Sequence, residues 1–107
     1  MELRQDVVNS LAMKHGLIAD AIQNPRSGNR RVFLTRFEPA NRYCQAILTV
    51  RNGELLCHTC LYQERSFINV EEIKVDDVES AVEYAVSRFD SYIEQLIDQS
   101  KPVGPRP

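Results

Sequence analysis

Asn52-Gly53 constrains the fold of this chain more than any other dipeptide in it. Both residues tolerate the positive φ that a type I′ turn demands at its two central positions, and they sit between two apolar runs, residues 43–50 and 55–62. A two-residue turn fixes the register of its hairpin by counting outward. Arg51 then opposes Glu54, Val50 opposes Leu55, Leu48 opposes Cys57, Ala46 opposes Thr59 and Cys44 opposes Leu61. Side chains alternate across a strand, so the last four pairs share one face. That face is almost wholly apolar and belongs beneath a helical layer. The opposite face carries Thr49 with Leu56, Ile47 with His58, Gln45 with Cys60, and Tyr43 with Tyr62.

This register decides how Cys57-His58-Thr59-Cys60 is read. A zinc knuckle needs both thiolates of a Cys-x-x-Cys to converge on one ion at a tight turn, and a thioredoxin-like pair needs the motif at a helix N-terminus. On a strand, residues three apart point to opposite sides, so Cys57 enters the core while Cys60 faces outward with His58. No second Cys or His pair accompanies them, and Cys44 is offset from Cys57 by four residues along the hairpin, too far for a disulfide. The expectation is buried free thiols at Cys44 and Cys57, with no metal and no cofactor. His58 and Cys60 do share a face at i and i+2, which leaves a minor Cys–His enzyme as one alternative. No orienting acid or oxyanion-hole signature accompanies that pair.

The rest of the chain supplies the elements around the hairpin. Leu3, Val7, Leu11, Ile18 and Ile22 recur at helical spacing, so residues 3–22 read as an N-terminal helix. Gly16 either ends a first helix, leaving a short second turn at 17–23, or is tolerated within a longer one. Asn24-Pro25 stops the segment, and residues 26–30 read as a surface loop. Residues 31–37 (RVFLTRF) form a further strand, followed by a turn at 38–41. A fourth strand is a candidate at 67–70, or on to 75. Asp76 N-caps a C-terminal helix with Glu79 in a capping-box pattern. Val78, Ala81, Val82, Ala85, Phe89, Ile93, Leu96 and Ile97 then form one apolar stripe. Residues 101–107 hold three prolines and a glycine and read as a flexible tail.

The expected architecture is a single α+β domain over residues 1–100. It comprises a two-layer antiparallel sheet of three to four strands with N-terminal and C-terminal helices, in the order α-β-β-β-(β)-α. A length of 107 residues with 43% apolar and 26% charged side chains suits one such core. No apolar run is long enough to span a membrane. The N-terminus lacks a secretory h-region, and three cysteines form an odd set, so the chain is read as cytoplasmic with reduced thiols.

Charge is unevenly distributed. Residues 26–65 hold seven arginines against three acids, while residues 66–107 hold nine acids against four bases. The simplest account is that the two segments answer each other across the fold. Helix–three strands–helix is also the order of double-stranded-RNA-binding domains, a parallel of topology alone. The acids Asp76, Asp77 and Glu79 at the start of the last helix would repel phosphate, which disfavours nucleic acid.

The outer hairpin face is the feature from which function is read. Tyr43, Gln45, Ile47, Leu56, His58, Cys60 and Tyr62 are too apolar for a solvated surface and include two tyrosines opposite each other. Residues 31–37 add either Val32 and Leu34 or Phe33 and Phe37 to it. The reading is a non-enzymatic interaction or accessory module, self-associating as a homodimer through this face or binding another protein. The alternatives are a small-ligand or nucleic-acid binder using Tyr43, His58, Tyr62 and nearby arginines, and a face covered by the chain's own helix or C-terminal segment.

Overall fold

A computed structural model describes residues 3–23 and 30–100 of the chain. The elements are α1 (Gln5–Lys14), β1 (Ile18–Gln23), β2 (Arg30–Glu38), β3 (Arg42–Arg51), β4 (Glu54–Gln63), β5 (Ser66–Val75) and α2 (Val78–Ser100). The five strands form one antiparallel meander in the order β1-β2-β3-β4-β5. The domain is α+β as expected, but with five strands rather than three or four. The parallel with double-stranded-RNA-binding domains therefore lapses. The expected proline-rich tail and residues 24–29 lie outside the described residues.

The extra strand comes from the segment read as the second half of a helix. Gly16 adopts φ +70° and closes α1: Leu17 N–H donates to Ala12 O at 2.8 Å and Gly16 N–H to Met13 O at 3.2 Å. These are the paired bonds of a Schellman cap, which a left-handed residue permits. Beyond it, Ile18–Gln23 pairs with β2 from Ile18↔Thr35 to Gln23↔Arg30. Ile18 and Ile22 are four apart, which places them one turn apart on a helix and equally on the same face of a strand. Spacing could not separate the two. The apolar stripe shifts accordingly: Val8 and Ala12 are buried, whereas Val7 and Ile18 are exposed.

The β3–β4 hairpin has the register counted from Asn52-Gly53, from Arg51↔Glu54 to Tyr43↔Tyr62. Asn52 has φ +53° and Gly53 φ +77°. The β2–β3 register, Phe33↔Ile47 and Phe37↔Tyr43, settles the open choice in residues 31–37. Val32 and Leu34 point inward and are fully buried; Phe33 and Phe37 point outward.

A bulge divides β5. Leu61 pairs with Ile68 and Thr59 with Glu71, so Asn69 and Val70 together oppose Cys60. Asn69 takes φ +56° to make the extra residue fit. The bulge resets parity beyond it, which brings Glu71, Ile73 and Val75 to the helix side and sends Glu72 and Lys74 outward, while Phe67, before the bulge, faces outward opposite Tyr62.

One core lies between the helices and the inward side of the sheet. It joins Leu3, Val8, Ala12 and Leu17 to Val32, Leu34, Cys44, Ala46, Leu48, Leu55, Cys57 and Leu61, and to Ala81, Val82, Ala85, Phe89 and Tyr92 of α2. Ala81 and Ala85 are small enough for α2 to lie close over β4, where the Cys57 thiol reaches Ala81 O at 3.8 Å. Asp77, not Asp76, caps α2: its Oδ1 accepts from Ser80 N–H at 2.7 Å, which lowers its pKa. The cap falls one residue later than the capping-box reading, because the chain stays extended through Val75 and bends at Asp76 and Asp77.

The charge asymmetry is answered across the fold at one point. Arg36 on β2 pairs with Asp90 of α2 at 2.7 Å and with Glu38 at 2.6 Å, its guanidinium 5.6 Å over the Phe89 ring. Of the seven arginines in residues 26–65, it is the one that reaches an acid of α2 among the described residues.

Candidate functional site

The face of the sheet turned away from α1 and α2 is built in rows by the strand registers. At the end holding the β2–β3 and β4–β5 turns lie Phe37, Tyr43, Tyr62 and Phe67. Next come Ile18, Thr35, Gln45 and Cys60, with the Asn69–Val70 bulge alongside. Then follow Asp20, Phe33, Ile47, His58 and Glu72. At the far end stand Arg31, Thr49, Leu56 and Lys74. All seven residues singled out from the sequence (Tyr43, Gln45, Ile47, Leu56, His58, Cys60 and Tyr62) lie on this face.

The aromatic row is continuous. Tyr43 and Tyr62 stack with ring centroids 4.7 Å apart and an interplanar angle of 16°. Phe37 meets Tyr43 edge-on at 6.1 Å, and Phe67 meets Tyr62 at 5.1 Å. Its two outer members stand in solvent: Phe37 is 68% exposed and Phe67 52%. Val70 and Ile18 add further exposed apolar area at the margins. Burial raises the Tyr43 pKa, with the Tyr62 and Cys60 neighbours reinforcing it. Phe67 lies in the fourth strand expected at 67–70 but is not among the seven outer-face candidates, because Glu64-Arg65 does not fix the register of that strand as Asn52-Gly53 fixes the central hairpin. Yet Gln63↔Ser66 is a two-residue connection, and counting from it would have placed Phe67 opposite Tyr62.

Cys60 departs from expectation. It belongs to the outer face by register but is only 3% exposed, and its thiol reaches Gln45 O at 3.7 Å. Its short side chain lies low between the taller Tyr62, His58 and Gln45. Burial pushes its pKa up to about 11, so the thiol is held neutral rather than primed as a nucleophile. His58 instead faces Glu72 across β4–β5, with Nδ1 3.7 Å from the carboxylate. Cys57 is fully buried on the opposite side, its pKa raised to about 12 by burial. The Cys-His-Thr-Cys run is thus split across the sheet. Among the described residues no three His, Cys, Asp or Glu side chains converge as a metal site would require.

A second polar assembly, unforeseen from the sequence, lies on the helix side near the bulge. Thr59 and Tyr92 are fully buried and share a hydrogen bond of 2.8 Å between their hydroxyls. Arg88 stacks 5.0 Å over the Tyr92 ring and bonds Glu71 through Nη2 at 2.8 Å, while Tyr84 OH donates to Glu71 at 3.3 Å. Glu71 reaches this cluster only because the bulge turned it inward. Elsewhere, a groove of about 630 Å³ between the N-terminal ends of the helices is lined by Val7, Leu11 and Val78 together with Arg4, Asp6 and Glu79. No described helix is long and apolar enough to cross a membrane.

No protein-family model matches this chain, and neither a curated protein nor a solved structure is detectably similar to it.

Proposed function

We propose that this chain is a non-enzymatic interaction module that self-associates through the outer face of its sheet. The observation that carries this reading is the aromatic row, which leaves Phe37 and Phe67 more than half exposed on a face that no described element covers. Large apolar rings in water are costly, and burying them against a protein surface recovers the transfer energy. A homodimer is the simplest such cover, since one patch then serves both partners.

The ring geometry argues against single-stranded nucleic acid as the occupant. A base-stacking platform needs open ring faces, and Tyr43 and Tyr62 turn theirs toward each other. The neutral, buried Cys60 argues against a Cys–His enzyme. Three free, buried cysteines fit a reducing cytoplasm, which is the location this reading adopts.

Sedimentation at micromolar concentration tests the proposal. A dimer is expected, and Ile47→Asp or Phe67→Glu should split it while circular dichroism and the melting transition report an intact fold. A strictly monomeric wild-type chain would overturn it.

A further inference from the structure

The outer face is bipolar, and its polarity selects how two copies can meet. One end is the aromatic row; the other holds Arg31 and Lys74 on either side of Thr49 and Leu56. The acids occupy the lateral strands, Asp20 on β1 and Glu72 on β5, in the same row. Arg31 makes no ion pair among the described residues, and Lys74 is held by Glu54 at 2.9 Å.

Two aligned sheets packed face to face with two-fold symmetry have two arrangements. With the axis along the strands, every row meets itself and β1 lies over β5. Asp20 then faces Glu72 of the other copy, so that two acids oppose each other, Arg31 lies over Leu56, and tall rings abut tall rings. With the axis across the strands, each strand lies antiparallel over its own copy and the rows invert. Phe37 then meets Arg31, Phe67 meets Lys74, Tyr43 meets Thr49 and Tyr62 meets Leu56. Each cation lies against an aromatic ring, the tall tyrosine pair sits over the shorter Thr49 and Leu56, and Asp20 and Glu72 fall opposite Ile18 and Val70. Cations over aromatic rings attract, whereas like charges facing each other across an interface repel.

We infer that the occupant of this face is a second copy docked antiparallel, its two-fold axis perpendicular to the strands, with Arg31 and Lys74 of each copy against the aromatic row of the other. The inference rests on the self-association proposed above and adds the geometry of the pair.

Cysteine cross-linking distinguishes the arrangements. Tyr43→Cys and Thr49→Cys variants, made separately and then mixed under mild oxidation, should form the mixed disulfide in preference to either homodisulfide. The axis-along-strand arrangement brings Tyr43 to Tyr43 and Thr49 to Thr49, so predominance of homodisulfides would overturn the inference. Dimers in sedimentation that form no cross-link at these positions would also overturn it, while leaving self-association standing. Absence of any wild-type dimer would remove both. As an independent measurement, Arg31→Ala combined with Lys74→Ala should weaken the dimer at least tenfold while leaving the melting transition of the monomer in place. Unchanged dimer affinity would overturn the inference.

Discussion

Thr59 and Tyr92 meet across the helix–sheet interface with no water-exposed surface, their hydroxyl oxygens 2.8 Å apart. The Tyr92 hydroxyl also bonds Arg88, so removing the tyrosine hydroxyl strands Thr59 in the core, whereas removing the threonine hydroxyl leaves Tyr92 one partner. Tyr92→Phe alone should cost about 1–3 kcal/mol, the desolvation penalty of a buried unpaired hydroxyl, and Thr59→Val alone should cost less, since Arg88 still bonds Tyr92. The double replacement should cost less than the sum, because it leaves no orphan. Urea unfolding of the four proteins measures the coupling, and additive costs would mean that the two hydroxyls do not act together. Nothing in the sequence pairs these residues. Thr59 is placed inward by register alone, and Tyr92, three residues beyond Phe89, is not among the residues from which the apolar stripe of the helix is read.

At the scale of elements, turn chemistry separates what was legible from what was not. Asn52-Gly53 adopts the left-handed backbone at little cost, so it announced its hairpin and the register that follows. Glu64-Arg65 adopts the same backbone, φ +51° and +64°, with residues ill suited to it. An L-residue with a Cβ pays about 1–2 kcal/mol there. Replacing the pair with Asn-Gly (Glu64→Asn, Arg65→Gly) should therefore stabilise the protein by about 1 kcal/mol, read as a raised urea midpoint at unchanged slope. A neutral or destabilising result would show that the side chains of Glu64 and Arg65 hold the turn by other means. The same contrast explains β1: its Ile18–Ile22 spacing fits helix and strand alike, and only the pairing partner Arg30–Thr35 decides between them.

At the scale of the molecule, the three thiols link the fold to alkaline pH. Burial raises Cys44 and Cys57 to about 12 and Cys60 to about 11, from an ordinary value near 9. Below about pH 8 both folded and unfolded chains keep these protons, and the thiols contribute no pH dependence. As pH rises from about 9 toward 11 and 12, the unfolded chain releases protons that the folded chain retains, so stability falls. Each such thiol adds a slope of up to ~1.4 kcal/mol per pH unit in that window. Denaturation series at pH 8, 9 and 10 should show the decline, and Cys44→Ala with Cys60→Ala should flatten it. An equally steep decline in that variant would assign the effect to other groups.

The central hairpin, its register, the sorting of Cys57 and Cys60 to opposite faces and the long amphipathic C-terminal helix are legible in the residues alone. These follow from local rules: a turn that only certain residues adopt cheaply, a side-chain period of two, and an apolar stripe at helical spacing. Tertiary structure alone decided that residues 18–23 are a strand, that the β5 bulge turns Glu71 inward to Arg88, and that Phe67 completes an aromatic row with Tyr62, Tyr43 and Phe37. In each case local preference was degenerate or adverse. Pairing across the sheet and packing against α2 supplied the energy that resolved it.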